Sequence, residues 1–131
     1  ELRFIIKYLT MKPQDLKLRT KQFAITVLKF IEKTPNKQPY FALVNQISRC
    51  SSSVGANYRA VSRAKSTPDF INKLKIVEEE CDETMYFLEI FMELLPEHKT
   101  ELEVIHKEAN EILSIIVTSL KTARNNANQK S

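Results

Sequence analysis

Glycine is almost missing from this sequence, which contains only Gly55 among 131 residues. Beta sandwiches, barrels and glycine-rich phosphate-binding loops depend on glycine at their turns, so its scarcity argues against all three classes. No apolar run reaches the roughly 18 residues that a membrane-spanning helix needs. The first ten residues also lack the basic start and the apolar run of a secretory signal. We therefore expect a cytoplasmic protein with no membrane partner.

Charged residues are plentiful, but their signs are unevenly distributed. The chain is 43% hydrophobic and 27% charged, which is typical of a globular protein of one domain. Residues 1–75 carry fifteen Lys or Arg and four Asp or Glu, whereas residues 76–131 carry five and twelve. The basic half is suited to nucleic acid. It is equally suited to pairing with the acidic half, within one subunit or between subunits.

Apolar residues recur at alternating steps of three and four, which is typical of amphipathic helices. The spacing predicts four helices, over residues 14–33, 38–65, 67–95 and 97–122. We expect Thr67 to cap the third helix, with Pro68 in its first turn. The predicted core positions are Leu16, Phe23, Val27, Phe30, Leu43, Ile47, Cys50, Val54, Val61, Phe70, Leu74, Val77, Cys81, Thr84, Leu88, Phe91, Leu95, Leu102, Ile105, Ala109, Ile112, Ile116 and Leu120.

These elements predict an all-α protein, an antiparallel up-down-up-down four-helix bundle over residues 13–124. An N-terminal extension, 1–12, precedes the bundle, and a flexible tail, 125–131, follows it. The middle of the second helix, Cys50–Ala56, contains nothing larger than valine. We call this segment the waist. Because the apolar stripe continues through it, we expect a helix that another helix approaches closely, rather than a loop.

The residues that commonly carry chemistry do not form a recognisable site. Cys50 and Cys81 fall on predicted core stripes, which favours small buried side chains in a reducing compartment. His98 and His106 lie eight residues apart, without the CxxC or HExxH spacing of a zinc site. Glu103 and His106 match half of a di-iron bundle motif, but the second copy is missing. We expect no catalytic residue, no metal and no cofactor.

Two polar groups remain as candidate sites. A polar stripe shares one face of the second helix, and we expect it to form a hydrogen-bonded contact with the acidic third helix, although plain solvent exposure is the alternative. A basic cluster is predicted at one end of the bundle, where it would bind phosphate through charge. The stripe comprises Gln46, Arg49, Ser53 and Asn57, with Glu79 and Glu83 as its partners, and the cluster comprises Arg59, Arg63, Lys65, Lys73 and Lys75.

Three segments also carry a family resemblance: Gln46–Arg49, Ser53–Ala60, and Phe70 and Leu74 with the acidic run Glu78–Glu83. Together they resemble the bacterial four-helix-bundle proteins encoded within intervening sequences of 23S ribosomal RNA genes. The resemblance covers about Asp15 to Arg124. Many members read Ala-Asn-Ile-Ala-Glu-Gly where this chain reads Ala56–Val61, so no role of that glutamate or glycine is carried over.

The resemblance implies an antiparallel bundle that assembles into a ring-like homopentamer without enzyme activity. The chain is more distantly similar to accessory bundle proteins of diversity-generating retroelements, which are pentameric and basic and bind nucleic acid and a reverse transcriptase. We therefore expect a non-enzymatic homo-oligomer that binds RNA, DNA or a nucleoprotein partner through its basic residues. The alternative is a protein–protein interaction scaffold with no nucleic-acid binding. Arg and Lys side chains gathered on one exposed surface would favour the first function, and neutralisation by the acidic helix the second.

Overall fold

Four α-helices form the part of the chain that the computed structural model describes, residues 13–129. They are α1 (Pro13–Ile31), α2 (Tyr40–Val61), α3 (Thr67–Leu94) and α4 (Lys99–Gln129), and a 3-10 turn, Pro96–His98, links the last two. Helix α3 packs against α2 and α4, and α1 packs against α2 with a smaller contact to α4. The predicted all-helical chain of four helices is confirmed for these residues. The predicted extension, 1–12, lies outside them.

The connection between α2 and α3 begins earlier than the spacing predicted. Helix α2 ends at Val61 rather than at residue 65, because the amides of Arg63 and Ala64 donate to carbonyls only three residues back, at 3.0 and 3.1 Å. Ser66 then adopts an extended backbone, and its side chain accepts a hydrogen bond from the Asp69 amide at 3.2 Å. The predicted cap at Thr67 is therefore wrong, since the preceding serine caps α3.

Helix α4 continues beyond the predicted end at residue 122 and reaches Gln129. Its last turns contain neither proline nor glycine to stop the helix, and Ala123 and Ala127 remain partly buried. The segment 125–129, predicted as part of a flexible tail, is thus helical. Lys130 and Ser131 lie outside the described residues.

The core consists of the side chains that the spacing predicted. Every predicted core position is buried except Leu43 and Phe70, which are partly buried and pack against the others. At one end of the bundle, the ring of Phe30 lies edge-on to Phe91, with centroids 5.9 Å apart, and to His98, at 5.8 Å. Full burial of such an apolar side chain is worth about 1.5–3 kcal/mol, so this core supplies the main driving force for folding.

The waist of α2 lies within an uninterrupted helix and packs closely against α1. Ser51 and Gly55 are buried. A Cβ atom added at Gly55 would lie 3.0 Å from Oγ1 of Thr20 and 3.4 Å from the carbonyl carbon of the same residue. No larger side chain fits there unless Thr20 shifts. The predicted close approach is confirmed, and α1 is the helix that makes it.

Candidate nucleic-acid interface

Three of the residues predicted to bind phosphate lie around the connection between α2 and α3. Arg59 stands in the last turn of α2, and Arg63 and Lys65 follow within the connection, residues 62–66. All three are exposed. Because α2 ends at Val61, Arg63 and Lys65 belong to the turn and not to the helical face that the sequence predicted. We call this end of the bundle the basic end.

A groove of about 250 Å³ runs beside Arg59 between α1 and α2. Its floor is formed by small residues, among them Gly55 and Ala56, and Lys17 and Lys21 of α1 line it together with the arginine. The lining contains no carboxylate. We call this cleft the α1–α2 basic groove. The sequence analysis missed both lysines, although their spacing of four residues places them on one face of a helix.

Lys73 and Lys75, the remaining predicted cations, lie near the start of α3 in different surroundings. The Nζ atom of Lys73 donates to both carboxylate oxygens of Asp69 at 2.7 Å. This contact, followed by the hydrogen bond from the Lys65 amide, lowers the pKa of Asp69. Lys75 is exposed, and no salt bridge within residues 13–129 involves it. A phosphate at Lys73 would have to displace Asp69, so Lys73 is the weakest of the five candidates.

The predicted polar stripe on α2 meets α3 through Arg49. Its Nη2 donates to Oε1 of Glu83 at 2.7 Å, and its Nη1 donates to Oε2 of Glu80 at 3.2 Å. The contact with Glu83, more than that with Glu80, raises the pKa of Arg49. The prediction is confirmed for Glu83. It is wrong for Glu79, which is exposed, because the next residue along α3 turns its carboxylate toward Arg49.

The other members of the stripe do not reach α3 through side-chain hydrogen bonds. The Nδ2 atom of Asn57 donates to the carbonyl of Ser53 at 2.8 Å, within α2 itself. Gln46 is exposed. The stripe is therefore a single interhelical ion cluster at Arg49, and plain exposure describes Gln46.

A second ion cluster joins α1 to α4, and the sequence analysis missed it. Arg19 donates from Nε to Oε2 of Glu108 at 2.7 Å and from Nη2 to Oε1 of the same carboxylate at 2.6 Å, while Nη2 also pairs with Glu111. The hydrogen bond from Glu108 is the main reason that the pKa of Arg19 is raised. Only 10% of the arginine side chain is exposed, and its Nη1 is buried without a hydrogen-bond partner. The two-pronged contact clamps α1 against α4.

Both cysteines are free and buried, as predicted. The Sγ atom of Cys81 donates to the carbonyl of Ala109 at 3.3 Å, and that of Cys50 donates to the carbonyl of Ile47 at 3.7 Å. Burial raises the pKa of Cys81 to about 12 and also raises that of Cys50. A nucleophilic thiolate needs the opposite shift, so these thiols act as small core side chains.

Within the described residues, 13–129, no three His, Cys, Asp or Glu side chains come close enough to hold a metal ion. The Nε2 atom of His106 instead lies 2.9 Å from Oε2 of Glu89 on α3. The half-motif formed with Glu103 therefore stays incomplete in this part of the chain. None of the helices described here is long and apolar enough to cross a membrane.

Comparison with known proteins places this geometry in a family. The chain matches the model of the family described as 23S rRNA-intervening sequence protein over residues 14–118. It is also similar to a crystal structure of a protein with unknown function from the S23 ribosomal protein family of Bacteroides thetaiotaomicron VPI-5482. The two are 32% identical with a TM-score of 0.76, and the match covers 85% of this chain and 99% of that one. None of the curated proteins matches.

Proposed function

The chain belongs to the 23S rRNA-intervening sequence protein family, and we propose that it is a non-enzymatic, oligomeric bundle that binds RNA or a nucleoprotein partner through its basic end. The observation that carries this proposal is the α1–α2 basic groove, where Lys17, Lys21 and Arg59 line one cleft without a carboxylate. Phosphate groups bind such clusters through charge and through the release of counterions. RNA is the polyanion for which this groove is suited.

The distribution of salt bridges supports this function over an internally neutralised scaffold. The acidic side chains of α3 and α4 pair with Arg49, Arg19 and Lys33, at sites that do not line the groove. Among residues 13–129, no salt bridge involves Arg59 or Arg63. Most cations of the basic end thus keep their charge available for a partner.

The proposal includes the antiparallel up-down-up-down order expected from the sequence. The order of contacts between α1 and α4 supports it. Arg19, early in α1, pairs with Glu108, whereas Lys33, just after α1, pairs with Glu101, which comes earlier in α4. Contacts that descend along one helix while they ascend along the other are expected when the two helices run in opposite directions.

The proposal also includes assembly into a ring-like homopentamer, the number that the family resemblance implies. Helix α1 carries Leu18, 66% exposed, next to Lys17, and acidic α3 carries Tyr86, also exposed at 60%, with Asp82 one turn away. Contact between the basic face of one copy and the acidic face of the next is heterologous, and such contacts close into a ring when the rotation permits. A ring repeats the groove, so weak phosphate contacts gain by multivalency.

A salt series tests phosphate binding by this surface. Affinity for a structured RNA and for duplex DNA is measured at increasing salt, for the unaltered protein and for Arg59→Glu/Arg63→Glu. We expect affinity to fall steeply with salt, and the double variant to bind both ligands more weakly, because phosphate contacts carry no base information. Each lost contact with duplex lowers the slope of log affinity against log salt by about 0.9. Light scattering on the unaltered protein tests the oligomer.

The matched control reverses two exposed charges at the opposite end of the bundle, Lys29→Glu/Lys99→Glu, beside Phe30 and His98. It changes the net charge equally, so we expect a clearly smaller loss of affinity than for the first pair. Equal losses would show that net charge, and not the basic end, determines binding. A monomer in solution would refute the ring.

The alternative function, a protein–protein interaction scaffold, is favoured by exposed apolar side chains. Tyr86 and Val104 are 60% and 67% exposed on α3 and α4. Such side chains are frequent contact points at protein interfaces. An oligomer that binds neither RNA nor DNA at low salt would favour this scaffold.

A further inference from the structure

A larger groove, of about 830 Å³, opens at the basic end between the α2–α3 connection and the last turns of α4. Ser62, Lys65 and Phe70 line one wall, and Ser119 and Thr122 of α4 line the other. Its lining contains no carboxylate. Its volume lies within the range of about 300–1,000 Å³ that is usual for small-ligand sites. We call it the connection groove.

The lining of the connection groove combines three kinds of chemical group. Phe70, which is partly buried, supplies an aromatic ring, Lys65 supplies an exposed ammonium group, and the serines and threonines supply hydroxyls. An unpaired nucleotide has a matching part for each, namely a flat base, a phosphate and polar base edges. A duplex keeps its bases stacked and paired, so only its backbone would be available to this groove.

The connection groove adjoins the α1–α2 basic groove. The Nζ atom of Lys17 donates to Oγ of Ser62 at 3.3 Å. Lys17 lines the α1–α2 basic groove, and Ser62 lines the connection groove, so the two clefts meet at this hydrogen bond. A strand whose phosphates lie in the first cleft would therefore bring its next nucleotide to the second.

We propose that the connection groove holds one unpaired nucleotide of an RNA strand, with its base against Phe70 and its phosphate at Lys65. This inference rests on the proposed function and deepens it, because phosphate contacts alone do not distinguish single strands from duplexes. It assigns to this chain a preference for single-stranded RNA. Stacking on an aromatic side chain tolerates all four bases, so the preference concerns strandedness and not sequence.

Binding of a labelled single-stranded RNA oligonucleotide, and of the same oligonucleotide annealed to its complement, tests the proposal by fluorescence anisotropy. Three variants alter the groove: Phe70→Leu removes the ring, Ala123→Leu fills the lining on α4, and Lys65→Gln removes the ammonium group. Lys121→Gln is the matched control, since Lys121 is an exposed residue of α4 that does not line the groove. Circular dichroism verifies that each variant keeps its helices.

We expect the unaltered protein to bind the single strand more tightly than the duplex. Phe70→Leu and Ala123→Leu should each weaken single-strand binding about fivefold or more, and duplex binding less than twofold. Lys65→Gln should weaken single-strand binding more than Lys121→Gln does. If the leucine variants retain the single-strand preference, or the unaltered protein binds both ligands equally, the groove proposal fails while the proposed function stands. If it binds neither ligand, the proposed function fails as well.

Discussion

Replacement of Arg19 by methionine tests how strongly the ion cluster between α1 and α4 stabilises the bundle. Methionine retains a long apolar stem but removes the guanidinium, and with it the hydrogen bonds to Glu108 and the pair with Glu111. Two carboxylates are then left without their cation, on side chains that are only 34% and 26% exposed. We expect the variant to fold with a clearly lower free energy of unfolding.

The magnitude follows from the burial of the three side chains. Removing one partner from a fully buried pair costs about 3–5 kcal/mol, whereas an exposed pair contributes about 0–1 kcal/mol. Arg19 is nearly buried and its two partners are partly exposed, so we expect a loss of about 1.5–3 kcal/mol. For a domain of this size, each kcal/mol lowers the melting temperature by roughly 3–5 °C. Urea unfolding followed by circular dichroism measures the free energy directly.

Lys33→Met provides the matched comparison at the other end of the same helix pair. Its Nζ atom donates to Glu101 at 2.8 Å, but the two side chains are 50% and 39% exposed. We therefore expect a loss below about 1 kcal/mol. Combining Arg19→Met with Glu108→Gln and Glu111→Gln should recover part of the stability, because the uncompensated charges are removed. If the two methionine variants lose the same free energy, burial of the Arg19 cluster does not matter as argued.

The remaining predictions concern the waist, a buried thiol and a helix cap. Gly55→Leu overpacks the contact with Thr20 by about 1–3 kcal/mol, partly offset by about 0.8 kcal/mol of helix propensity, whereas Ala56→Leu at an exposed position changes stability by less than about 0.5 kcal/mol; equal melting temperatures would contradict the close contact. Iodoacetamide should modify Cys81 only after unfolding, since burial raises its pKa to about 12, and equal rates in folded and unfolded protein would refute this. Above about pH 9 the unfolded thiol ionises while the folded one stays protonated, so the free energy of unfolding falls with pH, and Cys81→Ala should show a smaller fall. Ser66→Ala removes the cap of α3 and should cost about 1 kcal/mol, so an unchanged melting temperature would contradict that role.

The helices and the core could be predicted because both depend on local order in the chain. A helix that buries one face must repeat its apolar residues every three or four positions, and the stripe from Leu74 to Phe91 does so. The ends of the helices were harder to predict. Whether Ser66 or Thr67 caps α3 depends on which backbone leaves the helical conformation, and both residue types are suitable caps.

The candidate site could be predicted only in part, for two different reasons. Lys73 pairs with Asp69 four residues away, a spacing that is visible in the sequence and that indicates a neutralised charge. The grouping of Arg59 with Lys17 and Lys21 has no such local signal. About forty residues separate these cations along the chain, and only the packing of α1 on α2 brings them to one groove.

By itself, the sequence determined the all-helical architecture, the buried face of each helix and the close approach at the waist. These properties follow from residue size and apolar spacing within single helices. Only the tertiary structure decided which helix contacts the waist, that Glu80 rather than Glu79 joins Glu83 at Arg49, and which cations share a groove. The reason is geometric, because each of these contacts depends on how one helix is rotated against another. A rotation of one residue, about 100°, exchanges a carboxylate that faces a partner for one that faces solvent.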